Sequence, residues 1–572
     1  MMESSTNKLA KVKYTQWLED ENIDEATKQE LVAIAGDDKE IADRFYRDLE
    51  FGTGGLRGVM GAGTNRMNAY TVGKATQGLA NWVLAKKLPS PSAVIAYDSR
   101  NNSPQFALHA ALVLAANGIR TYLFPSLRPT PELSYAVRKL QASTGIVITA
   151  SHNPPEYNGY KAYDANGCQL IPEEAAEVIE TIANIKSFNE VKRMQQDAAE
   201  QAGLLVWLDE EMDKDYVDTV VAQSVNQTLL QGELGQSFKL VFTPLHGSGN
   251  MPVRQVLAAA GFKNVFVVNE QEQPDGYFST VKSPNPEEKE AFTLGIDLAK
   301  KVGADLIIGT DPDADRMGAV VKNNQGEYVV LTGNQSGAIM IHYLLSQQKE
   351  RNILPENGVV IKTIVTSEMG AAVAESFGAS VENTLTGFKY IGEKMTSYEI
   401  TGEKTFLFGY EESYGYLTGN YARDKDAVVA ALLISEAAAY YSLQGKTLYD
   451  VLQELYATHG YYLESQEART LKGLDGVQKI AAIMEHFRAS APTAVAGIDI
   501  VESLDYSSGL EGLRPENVLK YKLADGSWFC LRPSGTEPKI KVYFAVKGIS
   551  NEDAAVRMNN IRNAVMQIVD NI

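Results

Sequence analysis

Ala93-Val-Ile-Ala-Tyr-Asp-Ser99, an alanine-rich stretch from Phe106 to Ala116, Gly118, and then Arg120-Thr-Tyr-Leu-Phe124 form the segment that decides the fold. It reads as strand, polar loop, helix, glycine stop and strand. Short apolar runs bounded by turn residues suit strands covered on both faces. Gly118 supplies the left-handed residue that ends a helix and turns the chain back into a sheet. The same order returns at Lys239-Leu-Val-Phe-Thr-Pro244, a helix around Pro252 to Ala260, Gly261 and Asn264-Val-Phe-Val-Val268. It returns again at Val359-Val-Ile-Lys-Thr-Ile364, a helix around Glu368 to Phe377, Gly378 and Ser380-Val-Glu-Asn-Thr-Leu385. Strands alternating with helices predict βαβ units, hence an α/β chain with three similar domains whose mixed sheets are mainly parallel.

On either side of these repeats the pattern changes. Val518-Leu-Lys-Tyr-Lys-Leu523, Ser527-Trp-Phe-Cys-Leu-Arg532 and Ile540-Lys-Val-Tyr-Phe-Ala-Val546 read as neighbouring antiparallel strands with flanking helices, an α+β domain. Residues 8–50 read as an acidic helical lead-in with Trp17, Leu18, Leu31 and Phe45 as packing residues. The expected divisions are 1–205, 206–325, 326–448 and 449–572. With 53 Lys and Arg against 72 Asp and Glu, the net charge is −19. That balance argues against a general nucleic-acid or anionic-membrane surface, so an anionic substrate needs a local cluster of cations. No stretch approaches the ~20 apolar residues that span a bilayer. Met1-Met-Glu-Ser-Ser-Thr-Asn-Lys8 lacks the apolar run of a secretory leader. Cys168 and Cys530 lie far apart, without metal-ligand spacing, and read as reduced thiols. The expectation is a cytoplasmic protein.

Five motifs carry chemistry. In Thr149-Ala-Ser151-His152-Asn153-Pro-Pro155, a buried strand (Gly145 to Ala150) ends on a stiff turn. Ser151 is either a reacting serine presented there or, with Asn153, a cap for a following helix. Thr310-Asp311-Pro312-Asp313-Ala314-Asp315-Arg316 follows the apolar run Ala304 to Gly309. Carboxylates at alternate positions converge on one hard cation, and an all-oxygen set suits Mg²⁺. An EF-hand does not fit, because Arg316 and Lys322 occupy the positions of its glycine and its bidentate glutamate. Arg316 suits a phosphate or carboxylate clamp beside a metal.

Phe51-Gly-Thr-Gly-Gly-Leu-Arg57-Gly58 lets backbone approach an anion, with Arg57 among the glycines, though a plain turn also fits. It is not a Walker loop. Gly409-Tyr-Glu411-Glu412-Ser413-Tyr414-Gly415 offers carboxylate acceptors for sugar hydroxyls, and Thr386-Gly387-Phe388-Lys389 adds a cation. Arg532-Pro-Ser534-Gly535-Thr536-Glu-Pro-Lys539 combines a guanidinium, hydroxyls and accessible amides, a receptor for a phosphate dianion. Of six histidines, His152 borders Ser151 and His246 stands in a glycine-rich loop; His109, His342, His459 and His486 lack such context. No GxSxG elbow surrounds Ser151.

Taken in order, these motifs resemble the α-D-phosphohexomutase family from Phe51 onward. The resemblance implies four domains in a heart-shaped arrangement, each giving one loop to a central cleft. It implies that Ser151 is a phosphoserine that donates and accepts the phosphoryl group, with His152, Arg57 and Lys161 (in Asn158-Gly-Tyr-Lys161) beside it and Lys161 a candidate general acid/base. Asp311, Asp313 and Asp315, with the phosphoserine oxygen of Ser151, would hold one Mg²⁺. Arg316, Gly387, Phe388, Lys389, Glu411 and Ser413 would bind substrate. Arg532, Ser534, Gly535 and Thr536 would hold the nonreacting phosphate. The implied reaction interconverts α-D-glucose 1-phosphate and glucose 6-phosphate through glucose 1,6-bisphosphate, which is both intermediate and activator.

Pro312 and Ala314 replace the glycines common in the family's metal loop, while the three acids remain. The sugar loop lacks the histidine of the mannomutase branch. Tyr410 and the long N-terminal helix resemble a branch that includes phosphopentomutases, so pentose and mannose phosphates stay open as substrates. A noncatalytic sugar-phosphate sensor is the remaining alternative. The expected partners are sugar phosphates, with neither nucleic acid nor membrane, and the expected state is a monomer or weak homo-oligomer.

Overall fold

The computed structural model describes every residue except Met1, Thr53, Lys472 and residues 535–538, and leaves aside the side chains of residues 2–6 and 473–475. Three of its sheets repeat one plan. In the first, Thr144–Ile148, Ser92–Tyr97 and Arg120–Leu123 run parallel and in that order. In the second the order is Leu306–Thr310, Lys239–Thr243, Asn264–Val267. In the third it is Thr405–Glu411, Gly358–Thr363, Ser380–Thr384. Each time the strand that comes third in the chain lies beside the first.

That third strand then turns back into an antiparallel partner: Tyr157–Tyr163, Met317–Lys322 or Gly415–Thr418. The three hairpin turns carry Ser151, the aspartate triad and the Glu411–Tyr414 segment. Each contains one non-glycine residue in the left-handed region: Ser151, Ala314 and Tyr414, with φ of 52°, 50° and 66°. The expected helices occupy Ser103–Ala116, Asn250–Ala260 and Glu368–Ser376. The glycines after them, Gly118, Gly261 and Gly378, all have positive φ.

Residues 157–163 form a strand, so no helix follows Ser151 for it to cap. The glycines at 54–58, read as a plain turn or an anion loop, lead instead into a strand. Gly55–Val59 is an edge strand paired with Tyr157–Tyr163, and a Cβ on Gly55 would lie 2.0 Å from the Tyr160 carbonyl oxygen. There the missing side chain lets one strand approach another, and Arg57 between the glycines is exposed.

The last sheet is antiparallel throughout, in the order Tyr461–Thr470, Lys539–Gly548, Trp528–Pro533, Leu519–Leu523, Ile498–Asp505, Ala494–Val495. It has a separate core with Phe487, Phe529, Phe544 and Ile561. A single apolar cluster, by contrast, runs through all three α/β units, from Val94 and Phe124 through Phe242 and Ile308 to Tyr343 and Leu432. A smaller patch, Ile364, Val365 and Leu385 against Val518, Trp528 and Tyr543, docks the antiparallel unit on the third sheet's unit. The N-terminal helices Met2–Glu19, Glu25–Ala33 and Asp38–Phe45 close on Trp17, Leu31 and Phe45, with Leu18 partly buried. Among the described residues, no helix is long and apolar enough to cross a membrane.

Candidate active site

The serine turn and the aspartate loop meet across the first and second sheets' units. Ser151 Oγ donates to Asp311 Oδ2 at 2.8 Å and lies 3.2 Å from His152 Nδ1. Ser151 is 3% exposed and the three aspartates at most 1%, so this contact is out of bulk water. Asp311 also shapes its own loop, since its Oδ1 accepts from the amides of Asp315 (3.1 Å) and Arg316 (3.0 Å). Beneath the loop, Ser248 N and Oγ both donate to the Pro312 carbonyl. A Cβ on Gly247 would strike Pro312 Cα at 2.6 Å, which explains the glycine in Leu245-His246-Gly247-Ser248-Gly249. His246 itself is engaged by the Gln273 carbonyl and the Thr280 hydroxyl.

One carboxylate oxygen from each of Asp311, Asp313 and Asp315 falls within a 4.8 Å cluster. Asp313 Oδ1 and Asp315 Oδ1 are buried with no hydrogen-bond partner among the described residues. Buried carboxylate oxygens without partners are costly, and a hard cation satisfies them. The donor set therefore fits a divalent metal such as Mg²⁺.

Cations surround the triad. Lys161 Nζ donates to Asp313 Oδ2 (2.8 Å) and Asp315 Oδ2 (2.9 Å), and Lys425 Nζ lies 2.9 Å from Asp315 Oδ2. Burial opposes charge on Asp315, yet Lys161 and Lys425 outweigh it and hold the carboxyl well below its usual range. Burial and the two neighbouring aspartates push Asp311 well up. Burial disfavours a charged Lys161, but Asp313 and Asp315 overcome that and keep it protonated. Burial, then Arg316 and Arg57, drive His152 well below the usual imidazole value, leaving it neutral at physiological pH.

Arg57 Nη1 donates to Asn153 Oδ1 at 3.3 Å, which places its guanidinium beside the serine turn. Arg316 pairs with Glu287, and its buried Nε has no hydrogen-bond partner among the described residues.

The third unit closes the far side. Glu411 is 5% exposed, and its Oε1 accepts from the Gly387 amide at 2.8 Å. Burial pushes this carboxyl up to about 7, with Lys425 opposing the shift. Ser413 is half-buried beside it. Gly387 precedes the helix Phe388–Thr401 with φ of 123°. Phe388, expected in the substrate-binding loop, has its ring packed in the apolar core at 3% exposure. Lys389 is also largely buried, which pulls its ammonium down to about 8.

In the antiparallel unit Arg532 Nε donates to Glu516 Oε1 at 2.9 Å, and the Ser534 amide donates to the Lys539 carbonyl at 2.7 Å. Gly535 and Thr536 lie outside the described residues.

Three residues at the site were missed from sequence. Lys425 lies in the charged run Arg423-Asp424-Lys425-Asp426, held because Asp424 accepts from the Tyr163 hydroxyl (2.8 Å) and Asp426 from the Tyr216 hydroxyl (2.9 Å). Thr130 donates Oγ1 to Asp313 Oδ2 at 2.8 Å. Arg100 lies under the serine turn, at the carboxyl end of a parallel strand, where α/β sheets gather their ligands.

Residues 48–189, 214–326 and 332–459 match phosphoglucomutase/phosphomannomutase alpha/beta/alpha domains I, II and III, and residues 467–559 match the C-terminal domain of the same family. The chain belongs to the phosphoglucomutase/phosphomannomutase family. A phosphoglucomutase of Staphylococcus haemolyticus is 38% identical over 88% of this chain and 91% of its own length. One from Staphylococcus saprophyticus is 35% identical over 96% and 99%. Among solved structures, the open form of parafusin, a phosphoglucomutase from Paramecium, superposes with a TM-score of 0.72 at 19% identity, covering 92% of this chain and 95% of that one. A putative phosphomannomutase from Thermus thermophilus gives 0.68 at 22% identity, covering 91% and 99%. At such identities the structural likeness shows the shared fold.

Proposed function

We propose that this phosphohexomutase interconverts α-D-glucose 1-phosphate and glucose 6-phosphate, with Ser151 carrying the transferable phosphoryl group. The observation that carries the reading is the buried 2.8 Å contact from Ser151 Oγ to Asp311, inside a cationic frame built by Lys161, Lys425, Arg57 and Arg316. Phosphoryl transfer is catalysed mainly by positioning and by positive charge on the equatorial oxygens, and these residues supply both. Asp311, Asp313 and Asp315 would hold Mg²⁺ with the phosphoserine oxygen. Bound there, it would neutralise charge on the moving phosphoryl group.

In the forward half-reaction the P–O bond to Ser151 breaks as a P–O bond to the sugar's O6 forms. The O6 hydroxyl gives up its proton, and the released Ser151 oxygen takes one. Lys161 stands over the reacting atoms as a cation and the candidate proton carrier. Glu411 and Ser413 would accept and donate at sugar hydroxyls. Arg532 and Ser534 would grip the phosphate that is not reacting. The glucose 1,6-bisphosphate so formed turns end for end, and its other phosphate returns to Ser151.

The choice of glucose rests on the curated relatives and on the Glu411-Glu412-Ser413 loop. Comparing kcat/KM for glucose, mannose and ribose 1-phosphates, each with its bisphosphate, tests it. The glucose substrate should be turned over fastest; a clear preference for ribose or mannose overturns the sugar assignment.

A further inference from the structure

We propose that Arg100 is a positioning residue that holds the Ser151 turn in its left-handed conformation, and so aims the phosphoryl group along one line toward the sugar. The proposal rests on the reading of Ser151 as the phosphoryl carrier.

Arg100 is 1% exposed, and its guanidinium gathers the carbonyls of the turn. Nη2 donates to the Ser151 carbonyl at 2.5 Å and to that of Asn153, while Nη1 donates to Pro154 (2.8 Å) and Tyr157 (3.1 Å). Behind it, Asp98 Oδ2 lies 3.3 Å from Nε. Asp98 is itself fixed by the hydroxyls of Thr149 (2.7 Å) and Ser103 (2.8 Å) and by the Arg100 amide (2.9 Å). From the second unit, the Phe278 ring stacks 5.0 Å from the guanidinium. The assembly thus ties the serine turn to two units at once.

The turn needs such a device. Ser151 has a φ of 52°, a conformation that non-glycine residues keep only when their surroundings impose it. The equivalent metal loop, with Ala314 at 50°, is held by its own Asp311 carboxylate across the Asp315 and Arg316 amides. The serine turn has local bonds of its own, Ser151 N to Thr149 Oγ1 (2.8 Å) and Asn153 N to the Ala150 carbonyl (3.1 Å), but its apex hydroxyl must stay available for phosphoryl transfer, so Arg100 adds restraint from beneath. A planar guanidinium can bond four diverging carbonyls; a lysine ammonium has three donors on one point and cannot span them.

The test uses the full chain with Arg100→Ala and Arg100→Lys, and activity is scaled to the folded fraction read by circular dichroism. Arg100→Ala should lose about 10²-fold in kcat, the cost of misplacing a reacting group by about 1 Å. Its KM for glucose 1-phosphate should stay within about threefold, because the groups that bind the sugar and its phosphate are untouched. Methylguanidinium should restore part of the kcat of Arg100→Ala and none of that of Ser151→Ala. If Arg100→Ala does not fold, Arg100→Lys decides, with kcat lower by about tenfold.

Hydrogen exchange gives a readout independent of activity. The peptide covering residues 151–157 should exchange faster in Arg100→Lys, while strand Ser92–Tyr97 keeps its protection. A folded Arg100→Lys with wild-type kcat, or with unchanged exchange at 151–157, overturns the proposal. Wild-type protein inactive on every sugar phosphate would instead overturn the functional reading, and the exchange result would still decide the role of Arg100.

Discussion

The end of the site holding Ser151 and the aspartate triad and the end holding Arg532, proposed to grip phosphate, are built differently. At the first end, Ser151 and the three aspartates are at most 3% exposed and are tied across units by Ser151–Asp311, Thr130–Asp313 and Lys161–Asp313 contacts. They sit on hairpins of sheets whose units share one continuous core. At the second end, the Arg532 side chain is 27% exposed and belongs to an antiparallel unit with a core of its own. The lesson is a division of labour. On the proposed mechanism, the end that would make and break bonds is the more buried, whereas the end that would accept either phosphate of a turning bisphosphate is the less deeply set.

Replacing Ser151 by Ala should therefore give the largest effect, a loss of at least about 10³-fold in kcat in a coupled assay, with the circular dichroism spectrum unchanged. Near wild-type turnover in that variant would remove Ser151 from the mechanism. Next, Asp313→Ala should lose about 10²–10³-fold in kcat. Chelation of the wild-type protein should have a similar effect, reversed by added Mg²⁺; an unfolded variant would show the loop to be structural instead.

Arg532→Ala should show the opposite signature, a KM for glucose 1-phosphate raised about 10- to 100-fold with a smaller change in kcat, matching loss of a charge-assisted contact. A fall in kcat alone would erase the contrast between the two ends.

The smallest expected effect is in pH. Lys389 has a folded pKa of about 8, below its usual 10.5 because of burial. It carries its charge below about 8 and loses it as pH rises through that value, so KM should climb above pH 8 while kcat changes less. Lys389→Met should flatten that rise. The linked stability effect has the other direction. Between about 8 and 10.5 the unfolded chain binds more protons at this position, so Lys389 adds stability as pH increases.

Much of this was legible in the sequence because the local signals agreed. Apolar runs, alanine-rich helices and a glycine stop recur three times, and Gly118, Gly261 and Gly378 do adopt positive φ. The aspartate triad could be read from spacing alone. The antiparallel strand Tyr157–Tyr163 could not, since Asn158, Gly159 and Lys161 break its apolar pattern, Asn158 bonding to Asn101 and Ser103, Gly159 making room for the Thr149 carbonyl and Lys161 reaching the aspartates. Strand Tyr461–Thr470 was hidden in the same way by Glu464, Gln466, Glu467 and Arg469. The burial of the Phe388 ring was not legible either, because adjacency to Gly387 and Lys389 says nothing about which way a ring points. Arg100 and Lys425 act through partners far along the chain, 51 residues away for Arg100 and Ser151. Single-sequence patterns carry no record of such contacts.

Whether Ser151 carries the phosphoryl group is decided by phosphopeptide mass spectrometry. Protein incubated with glucose 1,6-bisphosphate should carry one phosphate on the peptide containing Ser151, and a chase with excess glucose 1-phosphate or glucose 6-phosphate should remove it within the turnover time. An active protein whose Ser151 stays unmodified throughout would contradict the account.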